Sequence, residues 1–466
     1  MFTEQAMNKI ETSSPEWATI SVVNAKTGEV LGVASSPSFN NNTRDITSYY
    51  DPFTSYAYEP GSTMKIFSFM AAMENGIYNG NETYKSGTIN VDEAKIKDWN
   101  NYGWGEITYD QGFMASSNTA AVNLGLKLGR AKLKDFYNSL GFGSKTGISL
   151  PNESEGLVNF RYNTEIAAAS YGQGMTISAV QMIQALTTLA NDGTMIKPYI
   201  VSKIVNSENG SIVLKNKRTE VRKVCNTETV NKMIEIMRGV VDGSFKASTG
   251  TGYYIKGYDL VGKTGTAQIA SNKGGYLKGS RNYVKSFAGL FPGEDPEIIV
   301  YLAASKLTNS NVMKTAIKGL VKDVGTYLNI YDETENTKED VFTVDSYINK
   351  DTTSEAENIN NSNMEAIIIG EGNKIISQYP TEGTTLNLGN KIFLKTNDTS
   401  YKMPNIKGWS RGDVLVFAKM INLNVNFDGY GYVKSYDVKN DSVIDINNPL
   451  NVVLEPKYKE ETKKED

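Results

Sequence analysis

Three short patterns place reactive side chains at spacings that chemistry can use. Ser62-Thr63-Met64-Lys65 sets a hydroxyl and an amine three residues apart, just after Pro60-Gly61 at the expected start of a helix. Residues i and i+3 share one helical face, so Ser62 Oγ and Lys65 Nζ can meet. The N-terminal end of a helix also favours a developing oxyanion. Ser116-Ser117-Asn118 adds a second hydroxyl and an amide, and Lys263-Thr264-Gly265-Thr266 adds a cation between hydroxyls. A hydroxyl within reach of an amine at such a terminus is placed to act as a nucleophile. Each pattern also has a plainer reading. Ser62 suits a helix N-cap, Lys65 a solvated first turn, Ser116 and Asn118 the cap of the following helix, and Lys263 to Thr266 an ordinary strand and turn. The ordered trio carries more weight than any one of them.

The chain of 466 residues contains no histidine and one cysteine, Cys225. That removes Ser-His-Asp and Cys-His catalysis, His-based zinc sites, and any internal disulfide or paired-cysteine metal motif. Catalysis is left to Ser, Thr, Lys, Tyr, Arg and carboxylates. A formal charge of −4 and a pI near 5.4 argue against a nucleic-acid partner. No apolar run reaches the 18 residues of a membrane-spanning helix, and Met1 to Gln5 do not open a signal peptide.

Gly257-Tyr258-Asp259-Leu260-Val261-Gly262-Lys263-Thr264 also matches the phosphate-binding pattern GxxxxGK[ST]. That loop needs a buried strand before it and a helix after it. Gly252 to Lys256 is too short for the first, and Gly265-Thr266-Ala267-Gln268-Ile269 reads as strand rather than helix.

The elements that must carry these residues follow from periodicity. Trp17 to Val23 and Glu29 to Ala34 read as a hairpin turning at Lys26-Thr27-Gly28. Met64, Phe67, Met70 and Ala71 mark a helix that stops near Gly76. Shorter and longer helices are expected over 119–128 and 175–191. Strands return at Leu260-Val261, Ala267 to Ile269, Val284 to Phe291 and Ile298 to Ala304. A sheet with a helical block inserted indicates a layered α+β or α/β domain. Residues 332–342 read as a polar linker. Beyond it, 343–397 and 402–456 look like divergent copies of one small βαββ unit. The second bears a helix with Val414, Phe417, Ala418 and Ile421, and 457–466 form a charged tail.

The ordered SxxK, SxN and KTGT patterns resemble those of penicillin-binding proteins and serine β-lactamases. The flanks narrow the resemblance to class B penicillin-binding proteins. They are Tyr58-Glu59-Pro60-Gly61 before Ser62, Gly103-Trp104-Gly105-Glu106-Ile107-Thr108-Tyr109-Asp110-Gln111-Gly112, Tyr171-Gly172-Gln173-Gly174, and Gly262 to Gln268. The two C-terminal units are similar to PASTA modules.

The resemblance implies an α+β fold: a five-stranded antiparallel sheet covered by helices, with the site in a cleft between sheet and helical block. It divides the chain into an N-terminal remnant (1–14), a transpeptidase domain (15–331), the linker, two modules and the tail. It also implies a reaction. Ser62 attacks the D-Ala-D-Ala end of a peptidoglycan stem peptide with Lys65 as base. Burial and the nearby Lys263 would hold down the pKa of Lys65. Ser116 relays the proton and Asn118 fixes geometry. Lys263, Thr264 and Thr266 receive the terminal carboxylate of substrate or β-lactam, and Gly265 lets backbone approach the ligand. The backbone N–H groups of Ser62 and Thr266 form the oxyanion hole, and no metal or organic cofactor is needed. Expected partners are stem peptides, β-lactams, a cell-wall glycosyltransferase and division proteins, at the extracytoplasmic face of the membrane. The family carries an N-terminal membrane helix and a pedestal ahead of such a domain; this sequence shows neither, as expected of a fragment or of a split or truncated gene. Two other readings stand beside this one: a D,D-carboxypeptidase or β-lactamase that uses water, and a non-catalytic wall-binding or penicillin-sensing protein.

Overall fold

The computed structural model describes residues 1–455 except 40, 41, 44, 47, 208, 329, 331–340, 388 and 430. Most of the expected linker (332–342) and all of the charged tail (457–466) lie outside the described residues. The chain forms two compact units, Met1–Ile330 and Tyr331–Asp466.

The first unit is built on one sheet. Its strands are β1 (Trp17–Asn24), β2 (Val30–Ser36), β3 (Val261–Gln268), β4 (Tyr283–Phe291) and β5 (Ile298–Ser305), in the order β3-β4-β5-β1-β2. All four pairings are antiparallel. β5 is buried at every residue and lies at the centre, where an unbroken apolar run is required because both faces are covered. β3 is an edge strand. It runs unbroken through Lys263 to Thr266 where the sequence suggested two strand pieces. No helix follows Lys263-Thr264, so the phosphate-loop reading of that stretch fails.

Residues 1–14 are more than a remnant ahead of the domain. They carry helix α1 (Phe2–Glu11), which buries Thr3, Ala6, Met7 and Ile10, and its Phe2 ring stacks edge-on against Tyr327 at 5.7 Å. The spacing of Ala6, Met7 and Ile10 is helical and packs α1 onto β1, β2 and the long helix Asn311–Tyr327. The helical block has at its centre α2 (Lys65–Glu74), whose first eight residues are all buried. Around it lie α3 (Tyr109–Met114), α4 (Asn118–Leu128) and α5 (Arg130–Ser139). The helix expected from residue 175 begins at Ala179, because Ile177 instead exchanges two backbone hydrogen bonds with Tyr58 and Ser178 then caps the helix.

In the second unit two helix-plus-sheet modules repeat one topology. Helix Thr352–Asn361 precedes strands Glu365–Ile369, Ile375–Tyr379 and Lys391–Thr396. Helix Arg411–Ile421 precedes strands Val425–Asp428, Tyr432–Tyr436 and Leu450–Glu455. In each sheet the last strand is central, parallel to the first and antiparallel to the second. The order is therefore helix then three strands, and not the expected βαββ. The leading strands fail for identifiable reasons. Val341–Thr343 pairs away in a separate ribbon with Thr385–Asn387, while Met403 and Ile406 are buried in an otherwise partly exposed stretch around Pro404 that forms no strand. The modules share a core in which Ile367, Ile369 and Phe393 of the first meet Trp409, Val414 and Phe417 of the second.

Candidate active site

Ser62 lies on a tight 3-10 turn, Gly61–Met64, that runs directly into α2. Gly61 starts the turn with φ +57°, a left-handed conformation, and a Cβ there would come within 2.6 Å of the Thr266 carbonyl oxygen. Its N–H donates to the Gly172 carbonyl at 2.9 Å. Glycine is thus required where the Ser62 turn is wedged between β3 and the Tyr171–Gly174 loop. Side chains at i and i+3 eclipse on a 3-10 turn, and Lys65 Nζ donates to Ser62 Oγ at 3.0 Å.

Lys65 is fully buried and its ammonium nitrogen is the hub of the site. Besides Ser62 it reaches the Ser116 carbonyl at 2.7 Å, Ser116 Oγ at 3.4 Å and Asn118 Oδ1 at 2.8 Å. Helix capping, the plainer reading of Ser116 and Asn118, falls instead to Ser117, whose hydroxyl accepts from Ala120 N at 3.1 Å. Ser116 adopts φ +58°, unusual for a residue with a Cβ, and this left-handed step lets the residues flanking Ser117 face Lys65.

One residue of the site was not foreseen. Asp98 is 1% exposed and accepts from Ser117 Oγ (2.9 Å), Thr119 N (3.0 Å), Thr119 Oγ1 (3.0 Å) and Gly87 N (2.7 Å). It moors the loop that carries Ser116 and Asn118, and its charge stabilises protonated Lys65. No motif marks it in the sequence. Its only signal is four donors arriving from separate segments.

Lys263, also fully buried, donates to the Thr264 carbonyl at 3.1 Å and lies 5.6 Å from the centre of the Phe113 ring. Burial lowers Lys65 to about 7, against the pull of Asp98. Burial and the Lys65 charge push Lys263 well below the usual lysine range. Thr264 Oγ1 bonds Thr249 Oγ1 at 2.9 Å, and Thr266 is exposed at the sheet edge. Gly265 departs from expectation. A Cβ there would meet Ser286 Oγ at 2.1 Å and Pro60 O at 3.1 Å, so its missing side chain makes room for the protein's own strand and turn rather than for a ligand. Among the described residues, no group of three or more Cys, Asp or Glu is placed to hold a metal ion.

A serine and a neutral-prone lysine in contact, with a second serine and an amide converging on that lysine and a second buried lysine behind them, can perform acyl transfer. The penicillin binding protein transpeptidase domain matches residues 18–319. The chain belongs to this family. Stage V sporulation protein D of Bacillus subtilis is 30% identical over 394 residues, covering 79% of this chain and 59% of that protein. The probable peptidoglycan D,D-transpeptidase PenA of Neisseria gonorrhoeae is 27% identical over 336 residues, covering 70% of this chain and 54% of that one. The chain therefore spans just over half the length of these relatives. The crystal structure of penicillin-binding protein 2X from Streptococcus thermophilus superposes with a TM-score of 0.65 at 27% identity, covering 97% of this chain and 70% of that one. In this penicillin-binding protein no helix among the described residues is long and apolar enough to cross a membrane.

Proposed function

We propose that the protein is a peptidoglycan D,D-transpeptidase that β-lactams acylate at Ser62. The observation that carries this reading is the contact set of Lys65: its Nζ holds Ser62 Oγ at 3.0 Å while Ser116 and Asn118 complete its shell. A lysine held near 7 is substantially neutral at working pH and can take the Ser62 proton. Ser62 Oγ then bonds to the penultimate D-Ala carbonyl carbon. The carbonyl oxygen becomes an oxyanion facing the Ser62 and Thr266 N–H groups. As the C–N bond breaks, Ser116 passes the proton from Lys65 to the departing D-Ala nitrogen. An amine of a neighbouring stem attacks the resulting ester, gives up its proton by the same route, and restores Ser62 with a new cross-link. Asn118 orients Lys65 and the substrate amide. Lys263, Thr264 and Thr266 receive the terminal carboxylate, and Gly265 seats β3 against the Ser62 turn.

In the same reading, 343–397 and 402–456 are PASTA modules, 332–342 is a linker and 457–466 a tail. The protein works at the extracytoplasmic face of the membrane, with a glycosyltransferase and division proteins as partners. Incubation with penicillin followed by mass spectrometry tests the assignment. A single adduct on Ser62, absent in Ser62→Ala of unchanged melting temperature, is expected. Folded protein that takes no adduct overturns it, and rapid turnover of a chromogenic cephalosporin would favour hydrolysis over transpeptidation.

A further inference from the structure

Three segments meet at the Ser62 turn, and at two of the junctions backbone lies close against backbone. Gly61 is wedged against Thr266 of β3, and a Cβ at Gly172 would come within 2.1 Å of the Gly61 carbonyl oxygen. Glu59, three residues before Ser62, spans the same segments with its side chain. Its Oε1 accepts from Gly174 N at 2.9 Å and from the Tyr276 hydroxyl at 3.2 Å. Tyr276 belongs to the loop joining β3 to β4 and bridges there to Ala270, just past the Thr266 end of β3. We propose that Glu59 is a positioning residue that clasps the Ser62 turn, the Tyr171–Gly174 loop and the β3–β4 loop together, and so fixes the distance between the Ser62 and Thr266 N–H groups. This rests on the reading of Ser62 as nucleophile and of those two N–H groups as the oxyanion hole.

The chemistry of the clasp is specific to a carboxylate. Glu59 has no ion-paired lysine or arginine among the described residues, its Oε2 is buried without a hydrogen-bond partner, and the neighbouring Gln173 amide favours the charged form without reaching hydrogen-bond geometry. The other titratable groups facing it are the Tyr171 and Tyr276 hydroxyls, both held neutral by burial, while Lys273 and Lys278 on the loop are exposed. Burying a carboxyl with no cation is unfavourable. What the site gains is a pair of charge-assisted bonds, stronger than a neutral acceptor would make. Protonation weakens both. Burial raises the Glu59 pKa, so the clasp loosens at a pH above the ordinary carboxylate range.

The test is acylation of Ser62 by penicillin in the full chain, resolved into half-saturation and the first-order step, from pH 5 to 8. A misplaced oxyanion hole slows the step without loosening binding, and displacements near 1 Å cost about 100-fold. Glu59→Ala should therefore slow the first-order step about 30- to 100-fold, with half-saturation moving less than about twofold. Glu59→Gln and Tyr276→Phe, of wild-type melting temperature, should slow it about three- to tenfold. Glu59→Gln should also erase the acid break assigned to Glu59 while leaving the one set by Lys65. If Glu59→Ala does not fold, these two milder variants decide. Wild-type first-order rates in the variants, a loss confined to half-saturation, or an unchanged acid break in Glu59→Gln would each overturn the proposal. A wild-type protein that forms no adduct would instead overturn the transpeptidase reading.

Discussion

The two units of the chain treat charge in opposite ways. The first sinks Lys65, Lys263 and Asp98 essentially out of solvent within one cluster. Among its described residues the second keeps every lysine and carboxylate exposed or partly exposed, buries one charged side chain, Arg411, and fills its shared core with Ile367, Ile369, Phe393, Trp409, Val414 and Phe417. Burying charge lowers stability unless every group is well partnered. The contrast therefore separates a region selected for reactivity from one whose interior is organised for packing. It breaks most sharply at Lys65. Lys65→Met should cut Ser62 acylation by about a thousandfold, within the range for losing a general base, and should leave the melting temperature no lower. In the wild type the rate should climb with pH through about 7 as Lys65 loses its proton. A rate flat across that range would remove Lys65 as the base.

The opposite outcome is expected at Trp409. Its ring meets Phe393 edge-on at 5.7 Å and Phe417 at 6.2 Å, joining the two modules through one core. Trp409→Ala should cost that unit about 3–5 kcal/mol, read as an early melting transition, with Ser62 acylation unchanged. Loss of acylation would show that the units are energetically coupled.

Asp98→Asn sharpens the comparison further. It keeps shape but turns an amide N–H₂ towards donors, leaving at least one of four without an acceptor, at a cost of about 2–4 kcal/mol. It also removes the charge that holds a proton on Lys65. The acid limb of acylation should therefore shift to lower pH even as the protein becomes less stable. A purely structural role for Asp98 would lower the melting temperature and leave the limb in place.

Legibility in the sequence followed the range of the contacts. Ser62 and Lys65 are three residues apart, so their meeting could be read from helical geometry, and the β1–β2 hairpin and the second module's helix are equally local. Asp98 escaped because its donors come from Gly87, Ser117 and Thr119, 11 to 21 residues away. Gly265 was misread because the atoms that exclude its side chain belong to Pro60 and Ser286. Even α1, periodic as it is, has a meaning only through the sheet and the helix 300 residues later that cover it. The family resemblance supplied what spacing could not, namely that the three motifs share one cleft.

A last effect is thermodynamic and distinguishes the units without any substrate. Lys65 falls from an ordinary value of 10.5 to about 7 on folding, and Lys263 moves in the same direction. Between those limits the unfolded chain binds more protons than the folded one, so stability must rise with pH, by at most about 1.4 kcal/mol per unit for each lysine. The window must stop short of Cys225 and the buried tyrosines. Their raised values give the opposite slope once their unfolded forms ionise near 9 and 10. From pH 7 to 8.5, calorimetry should therefore show the first unit's transition moving up while that of the second stays level. Lys65→Met should flatten the rise of the first transition. A rise shared by both transitions, or one that survives replacement of both lysines, would mean that the buried ammonium pair is not what separates the two halves.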